Sequence, residues 1–279
     1  MRTETDGRGA ENANGSPSPL GINVLRRGEA LWPGKDHRID SKGDRSIMTD
    51  SGNTSPRGAN PVLEEYARLA SGYDRRWSFY VRATSRETLA RLPIRPTDSL
   101  LDVGCGTGSL LYQLSNSHPQ AHLTGIDPCP EMLAIARGRL ASTIELKQGW
   151  AEEIPYSDDT FDLVVSCNVF HYIRQPVAAL REMLRVLRPA GKLVITDWCD
   201  DYLACRIFDW YLRRSNAAHF RTYRIRECRD LLDDAGATEI TIEHYRITWL
   251  WGLMTAISRK PARRLEESGK PRRRPTEPT

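Results

Sequence analysis

Short apolar runs and amphipathic segments alternate along residues 99–200. The apolar runs predict strands, because they are brief, rich in Leu, Val and Ile, and bounded by turn residues. They cover residues 99–103, 122–126, 144–148, 161–166 and 192–196. The segments between them, such as 130–140 and 176–187, repeat apolar positions at helical spacing. Five alternations of strand and helix predict an α/β fold with a doubly wound, mostly parallel sheet.

Two helical segments precede this alternation, at residues 61–72 and 73–92. The second is unusually aromatic for a surface helix. Its aromatic residues are Tyr73, Trp77, Phe79 and Tyr80. Two interpretations fit this pattern equally: a helix packed on the domain edge, or a lid whose aromatic face closes over a ligand.

The segment at residues 197–226 is longer than a simple crossover between strands requires. It is aromatic and predicted to be helical, so we interpret it as an insertion that covers the site or fills a gap in the core. A helix at 226–235 is predicted to end at Gly236. Two close strands then follow, at 239–247 and 249–258, and predict an antiparallel hairpin at the sheet edge.

Both ends of the chain have the composition of disordered segments. Residues 1–60 are rich in Gly, Ser, Asn, Asp and Pro, and Met48 offers an alternative start. From Arg259 to Thr279, eight basic residues outnumber three acidic ones. Without interleaved aromatic residues, this tail favours a solvated end over a nucleic-acid site. The expected organisation is therefore a domain at 61–260, with lid helices at 61–97, between disordered ends at 1–60 and 261–279.

The overall composition excludes several classes of protein. The chain has 279 residues, a formal net charge of +4 and 39% hydrophobic residues, which suits a globular domain. No apolar run reaches the roughly 18 residues of a membrane span, and the first residues lack the apolar region of a secretory signal. The six cysteines are scattered without a CxxC pair, so we expect reduced thiols in the cytoplasm and no metal site.

The candidate chemistry begins at residues 99–110, which read SLLDVGCGTGSL. This is a strand, a glycine turn and a helix start, an arrangement that lets a ligand approach backbone N–H groups. Asp127 follows the second strand, roughly 20 residues after the last glycine, where a carboxylate can bind both ribose hydroxyls. Because ligands bind beyond the carboxyl ends of parallel strands, one site should collect Gly104–Gly108, Asp127, 149–152 and 167–171.

Several longer motifs carry a family resemblance. They read LLDVGCGTG, GIDPCPEML, FDLVVSCNVFHYI, LREMLRVLRPAGKLVITD and LLDDAGA. Together they resemble class I S-adenosylmethionine-dependent methyltransferases, over about residues 61–260. Within that family, the chain is similar to the small-molecule group that contains the ubiquinone and menaquinone C-methyltransferases. The resemblance implies a Rossmann-like, seven-stranded sheet with an antiparallel last strand. It also implies methyl transfer to a small molecule. The aromatic insertion at 202–211 and the aromatic N-terminal helices suit a lipophilic or aromatic acceptor, and we expect a monomer or homodimer.

The resemblance assigns the methionine and ribose ends of S-adenosylmethionine to particular residues. Asp102 would hold the ammonium group, and Asp127 the ribose hydroxyls. The backbone of the glycine turn would hold the methionine end, through Gly104, Cys105, Gly106 and Gly108. Tyr73 would close over the carboxylate, and Cys167 would lie beside the sulfonium.

The resemblance also places Pro128 and Met132 beside the adenine. The family often has Asp-Ala after the third strand, where the acid meets the adenine amino group. Here the pair is Trp150-Ala151, so we expect Trp150 to stack on the ring, with Glu152 nearby. His171, after the fourth strand, is the candidate general base for acceptors that must lose a proton, although the family commonly carries a structural histidine there.

Three alternatives remain beside a small-molecule methyltransferase. A dinucleotide dehydrogenase shares the fold, but the acidic Asp102 inside the turn would repel a pyrophosphate and favour a cationic amino-acid group. A methyltransferase acting on RNA or protein is the second alternative, although the sequence shows no clear nucleic-acid site. The third is a non-catalytic scaffold that binds the cofactor, or no ligand, and acts as a partner of other proteins; the intact turn and both aspartates argue against it.

Overall fold

Seven strands form one sheet in the order β3-β2-β1-β4-β5-β7-β6. The structure, a computed structural model, describes residues 61–215, 219–248 and 251–262. The strands are β1 Ser99–Val103, β2 His122–Asp127, β3 Glu145–Gln148, β4 Phe161–Cys167, β5 Leu187–Trp198, β6 Thr238–Arg246 and β7 Gly252–Arg259. The ends predicted to be disordered, 1–60 and nearly all of 261–279, lie outside the described residues.

Helices cover both faces of the sheet, as the alternating pattern predicted. They are α1 Pro61–Arg91, α2 Ser109–Ser117, α3 Pro130–Arg139, α4 Pro176–Val186, α5 Leu203–Ser215 and α6 Ile225–Ala235. On one face, Leu111 of α2 and Leu133 of α3 are buried together with Leu92, which directly follows α1. On the other, Met183 of α4 and Leu232 of α6 are buried together. The predicted doubly wound α/β fold is therefore confirmed.

Strand direction determines where a ligand can bind. Strands β1 to β5 are parallel, and their carboxyl ends, at Val103, Asp127 and Cys167 for β1, β2 and β4, meet at one edge. Strand β7 lies antiparallel between β5 and β6. The expected antiparallel hairpin at the sheet edge is present, and Gly236, with φ of 92°, ends α6 as predicted.

Two element boundaries differ from the sequence-based expectation. Residues 61–91 form one helix of 31 residues instead of two segments. Gly72 interrupts the apolar spacing without breaking the helix, because residues on both sides of it, such as Ala70 and Tyr73, pack against α3. Strand β5 starts at Leu187 instead of Lys192, because Leu187 pairs with Phe161 across an irregularity in the register.

The insertion after β5 contributes one helix, α5. Its inner face packs on a small aromatic core, with Leu212 and Phe208 near Trp198 and Tyr80. This packing fits the gap-filling role, and the covering role of the insertion at 197–226 stays a prediction. None of the described helices is both long enough and apolar enough to cross a membrane.

Candidate active site

A cavity of about 510 Å³ lies at the carboxyl edge of β1, β2 and β4, with α1 forming one of its walls. It collects most of the residues that the sequence assigned to one site. These are Tyr73, Asp102, Gly104, Cys105, Gly106, Asp127, Pro128, Met132, Trp150, Ala151, Glu152 and Cys167. Its volume suits a small-molecule ligand. Gly108 and His171 do not line this cavity as described.

The glycine turn forms its floor in a conformation that requires glycine. Gly104, Gly106 and Gly108 have φ values of 77°, 54° and 76°. A Cβ on Gly104 would collide with Val169, so the backbone can approach β4 only because no side chain is present. Gly108 immediately precedes α2, and the turn therefore presents backbone N–H groups at the start of a helix.

Asp127 is held by the turn that it faces. Its Oδ2 accepts a hydrogen bond from the Gly106 N–H (2.8 Å), and its Oδ1 accepts one from the Cys129 N–H (2.9 Å). Burial raises the pKa of Asp127 to about 6, although these two N–H donors lower it in part. Each oxygen keeps a free lone pair, so the oriented carboxylate can accept two further hydrogen bonds from a diol.

Asp102 is buried in the same wall, with 2% of its surface exposed. Within the described part of the chain, no donor reaches its carboxylate. Burial raises the pKa of Asp102 to about 8, and the negative charge of Asp127 adds to this effect. A buried carboxylate without donors lacks compensation for its charge. A cationic group in the cavity would supply that compensation.

Other parts of the cavity lining carry an indole ring, a glutamate and a thiol. Trp150 is 37% exposed, which leaves part of the indole ring available to a flat ligand. Glu152 lies nearby, and burial raises its pKa. Opposite, Cys167 Sγ lies 3.3 Å from Thr88 Oγ1. Burial raises the pKa of Cys167 to about 12, so this side chain is a neutral thiol at physiological pH.

Three tyrosines form an aromatic wall. The Tyr66 ring lies 5.8 Å from that of Tyr73 and 5.4 Å from that of Tyr172, measured between centroids. Burial raises the pKa of all three hydroxyls, which therefore stay neutral. Of these three tyrosines, only Tyr73 was predicted from the sequence to belong to the site. Tyr66 and Tyr73 are seven positions apart, about two helical turns, and this spacing on one helix face was the signal that could have identified Tyr66.

A polar contact fixes α1 above the glycine turn. Asp74 accepts a hydrogen bond of 2.7 Å from the Thr107 hydroxyl and forms an ion pair with Arg139 of α3. Arg139 also donates to the Thr107 carbonyl (3.1 Å). The helix that carries Tyr66 and Tyr73 is thereby tied to the turn that carries the backbone donors. This contact was not predicted from the sequence.

His171 belongs to a buried cluster next to the cavity. Its Nδ1 lies 2.7 Å from Asp197 Oδ1, and its backbone N–H donates to Asp197 Oδ2 (3.1 Å). The ring packs between Tyr172 and Trp198, at centroid distances of 4.0 and 5.3 Å. Through these contacts, His171 helps to orient Asp197, Tyr172 and Trp198. The role of His171 as a general base stays a prediction.

Metal-binding side chains are not clustered in the described ranges, where no group of three or more His, Cys, Asp or Glu is placed to hold an ion. All six cysteines are free thiols.

Comparison with known proteins shows which proteins this chain resembles. Residues 101–195 match a family described as a methyltransferase domain. A demethylmenaquinone methyltransferase of Deinococcus radiodurans is 36% identical over 133 residues, 47% of this chain and 52% of that protein. Over these residues the chain is similar to S-adenosylmethionine-dependent methyltransferases. It spans about half the length of the first curated relatives that it matches.

Solved structures support the fold of this chain. A possible histamine N-methyltransferase of Thermotoga maritima superposes with a TM-score of 0.60 at 19% identity, over 71% of this chain and 99% of that one. A phosphoethanolamine N-methyltransferase of Haemonchus contortus, in complex with S-adenosyl-L-methionine, gives 0.60 at 16% identity over 74% and 61% of the two chains. The Rossmann-like methyltransferase fold expected from the sequence is therefore confirmed.

Proposed function

We propose that this chain binds S-adenosylmethionine in the cavity and transfers its methyl group to a small lipophilic or aromatic acceptor. The observation that carries this proposal is the buried, donor-free carboxylate of Asp102 beside the glycine turn, with Asp127 oriented next to it. A cationic amino acid joined to a ribose complements this pair of carboxylates. A pyrophosphate would be repelled by the negative charge of Asp127 and would offer no cation to Asp102.

The remaining walls support the assignment of the rest of the cofactor. Met132 and Pro128 would lie beside the adenine, Trp150 would stack on it, and Ala151 and Glu152 complete that side. The turn residues Gly104, Cys105 and Gly106 would present backbone N–H groups to the methionine carboxylate. Gly108 would start α2 beneath them without touching the ligand. Tyr73 would close over the methionine end, and Cys167 would lie near the sulfur.

When bound, S-adenosylmethionine would supply a methyl group already activated by a sulfonium. The protein's task is then alignment and exclusion of water, which can account for roughly 7 to 11 kcal/mol of a reaction barrier. Tyr66, Tyr73 and Tyr172 exclude water from one wall. The neutral thiol of Cys167 offers no competing thiolate nucleophile. The sequence suggests His171 as the base for an acceptor that must lose a proton, but His171 does not line the cavity, and substitution of His171 tests this role.

The acceptor class is inferred from the outer part of the cavity. Val62, Leu63 and Ile173 line it together with the tyrosines, a surface that suits an apolar or flat molecule. The matched relatives named demethylmenaquinone methyltransferases support the same class. Free cysteines are consistent with a reducing, cytoplasmic location, which we include in the proposal along with a monomeric or homodimeric state.

Calorimetry with S-adenosylmethionine tests the first half of this proposal. We expect binding by the wild-type chain and a loss of at least about tenfold in affinity for Asp127→Asn, since hydrogen bonds to a charged group contribute about 1.5–3 kcal/mol. Asp230→Asn, an exposed carboxylate on α6, is the matched control. Absence of binding at millimolar ligand would favour a scaffold without cofactor.

Methyl-labelled S-adenosylmethionine tests the second half. The full chain is incubated with separate lipid, polar-metabolite, RNA and protein fractions of a cell extract, and labelled products are identified by mass. We expect label in the lipid-soluble fraction. Label confined to RNA or protein would contradict the acceptor class while leaving the cofactor assignment intact.

A further inference from the structure

The outer face of α5 is unusual, because it carries large apolar side chains in contact with water. Leu203, Ile207, Trp210 and Tyr211 are 69%, 62%, 58% and 45% exposed. They recur at intervals of three and four residues, so they form one stripe along the helix. The opposite face is buried through Cys205, Asp209 and Leu212. The exposed stripe is therefore not the core-facing side of the helix.

Arginines flank this stripe. A shallow groove beside it is lined by Arg206, Arg213, Arg214 and Arg224, against two acidic residues, Asp200 and Asp209. Both acids already have cationic partners within the groove, since Asp209 pairs with Arg213 and Asp200 with Arg224. The surface thus combines apolar side chains with surplus positive charge. We call Leu203, Arg206, Ile207, Trp210 and Arg214 the α5 face.

We propose that the α5 face docks the protein on the surface of an anionic lipid bilayer. Leu203 and Ile207 would enter the boundary between headgroups and acyl chains, as apolar faces of interfacial helices do. Trp210 suits the same depth, because its ring is apolar and its N–H is polar. Arg206 and Arg214 would lie among lipid phosphates, where each basic residue adds to the attraction.

The chemistry of the face argues against two other occupants. Single-stranded nucleic acid stacks its bases on open aromatic rings, but the Arg214 guanidinium already lies 4.1 Å over the Trp210 ring. The exposed aliphatic side chains of Leu203 and Ile207 have no place in that mode of binding. A second copy packed on the same face would bring arginines against arginines, which is unfavourable.

The position of α5 in the fold is consistent with this role. The helix follows the carboxyl end of β5, which is the sheet edge where the cavity lies. A protein held by this face would keep that edge near the bilayer. An acceptor dissolved in lipid would then have a short path to the site. The docking surface itself does not depend on the proposed reaction.

Vesicle co-sedimentation tests the proposal with the full chain and no methyl donor. One set of vesicles is phosphatidylcholine alone, and the other contains equal amounts of phosphatidylcholine and phosphatidylglycerol. We expect the double variant Leu203→Glu with Ile207→Glu to lose about tenfold or more in partitioning. For the double variant Arg206→Glu with Arg214→Glu, we expect partitioning to fall by at least about fivefold per arginine. This loss should occur on anionic vesicles only, and it should be smaller at high salt.

Matched controls separate the face from general effects of charge. Tyr112→Glu on α2 and Arg137→Glu on α3 alter exposed residues on other helices and should leave partitioning unchanged. The basic tail is present in every variant. A loss of partitioning that is seen only in the α5 variants is therefore caused by the change in the α5 face. Circular dichroism confirms that each variant is folded.

Three results would overturn the proposal. The first is equal vesicle binding by the wild type and both α5 variants. The second is tight binding of a single-stranded RNA oligonucleotide that depends on Arg206 and Arg214, with no vesicle binding. The third is a wild-type dimer that the Leu203 and Ile207 variant converts to a monomer in sedimentation velocity. None of these measurements involves methyl transfer, so failure here is distinguishable from failure of the proposed function.

Discussion

The Thr107 hydroxyl donates a hydrogen bond of 2.7 Å to Asp74 Oδ1, and so joins the glycine turn to the first helix. Arg139 pairs with the same carboxylate from a second side. All three side chains sit at the junction of α1, α2 and α3. Because α1 also carries Tyr66 and Tyr73, the contact links one wall of the cavity to the glycine turn.

Removing this contact should weaken cofactor binding without abolishing the fold. For Asp74→Ala we expect S-adenosylmethionine affinity to fall by several-fold to about tenfold, since the pair is partly exposed and partly screened. Amide hydrogen exchange in residues 62–80 should become faster. Arg68→Ala, at an exposed position on the same helix, is the control. Unchanged exchange in Asp74→Ala would show that packing alone holds α1.

Asp102→Asn should stabilise the ligand-free protein near neutral pH. Burial and Asp127 raise the pKa of Asp102 to about 8, against about 3.9 in an unfolded chain. Between those values the folded state binds more protons than the unfolded state, so this group makes stability fall as pH rises. At pH 7 to 8, the uncharged amide should raise the free energy of unfolding by about 2 kcal/mol, after the cost of an unpartnered amide.

Urea unfolding of wild type and Asp102→Asn from pH 4 to pH 8 measures this difference. Near pH 4 both side chains are neutral in the folded state, so the advantage of the variant should disappear. A difference that does not vary with pH would contradict the assignment of this titration to Asp102. The same variant should bind S-adenosylmethionine much more weakly, because the carboxylate that faces the cation is gone.

Cofactor affinity in the wild type should rise with pH. A cationic ligand prefers the ionised form of Asp102, whose pKa is raised to about 8, and of Asp127, whose pKa is raised to about 6. From pH 6 to pH 8 we expect binding to tighten by up to about tenfold per pH unit and to release protons. Calorimetry in buffers of different ionisation enthalpy counts those protons. In Asp102→Asn most of the release should vanish.

The alternation of apolar runs with amphipathic segments was sufficient to predict the sheet, because both periods are local properties of the sequence. The antiparallel hairpin at the sheet edge could also be predicted, because two apolar segments follow Gly236 at close spacing. Gly104 and Asp127 could be placed together in advance because parallel strands bring their carboxyl ends to one edge.

The features that the sequence did not predict depend on contacts between distant residues. Gly72 suggested a break in α1, but packing of its neighbours on α3 overrides its weak helix propensity. Asp74 and Arg139 are 65 residues apart. No local pattern connects them, so their contact with Thr107 could not be predicted. Tyr172 reaches the cavity from a short 3₁₀ turn, Phe170–Tyr172, whose side-chain directions follow no simple period.

Two glycines of the turn should respond differently to alanine. Both have positive φ, so each substitution costs about 1 kcal/mol in backbone strain. At Gly104 the new Cβ would also collide with Val169, whereas at Gly106 nothing lies within 4 Å. We therefore expect Gly104→Ala to lower the melting temperature clearly more than Gly106→Ala. The double variant Gly104→Ala with Val169→Ala should recover part of the loss. Equal effects of the two single variants would contradict the collision.

Substitution of His171 separates its two possible roles. Asp197 keeps the backbone N–H donors of His171 and Trp198 when the imidazole is removed, so His171→Gln should cost only about 2 kcal/mol of stability. The cavity lining excludes His171, and we therefore expect turnover per folded molecule to stay within about threefold of wild type, with the same pH profile. A general base would instead cost about a hundredfold or more and remove the acidic limb of that profile. Turnover measured with saturating cofactor below the melting temperature of the variant distinguishes these outcomes.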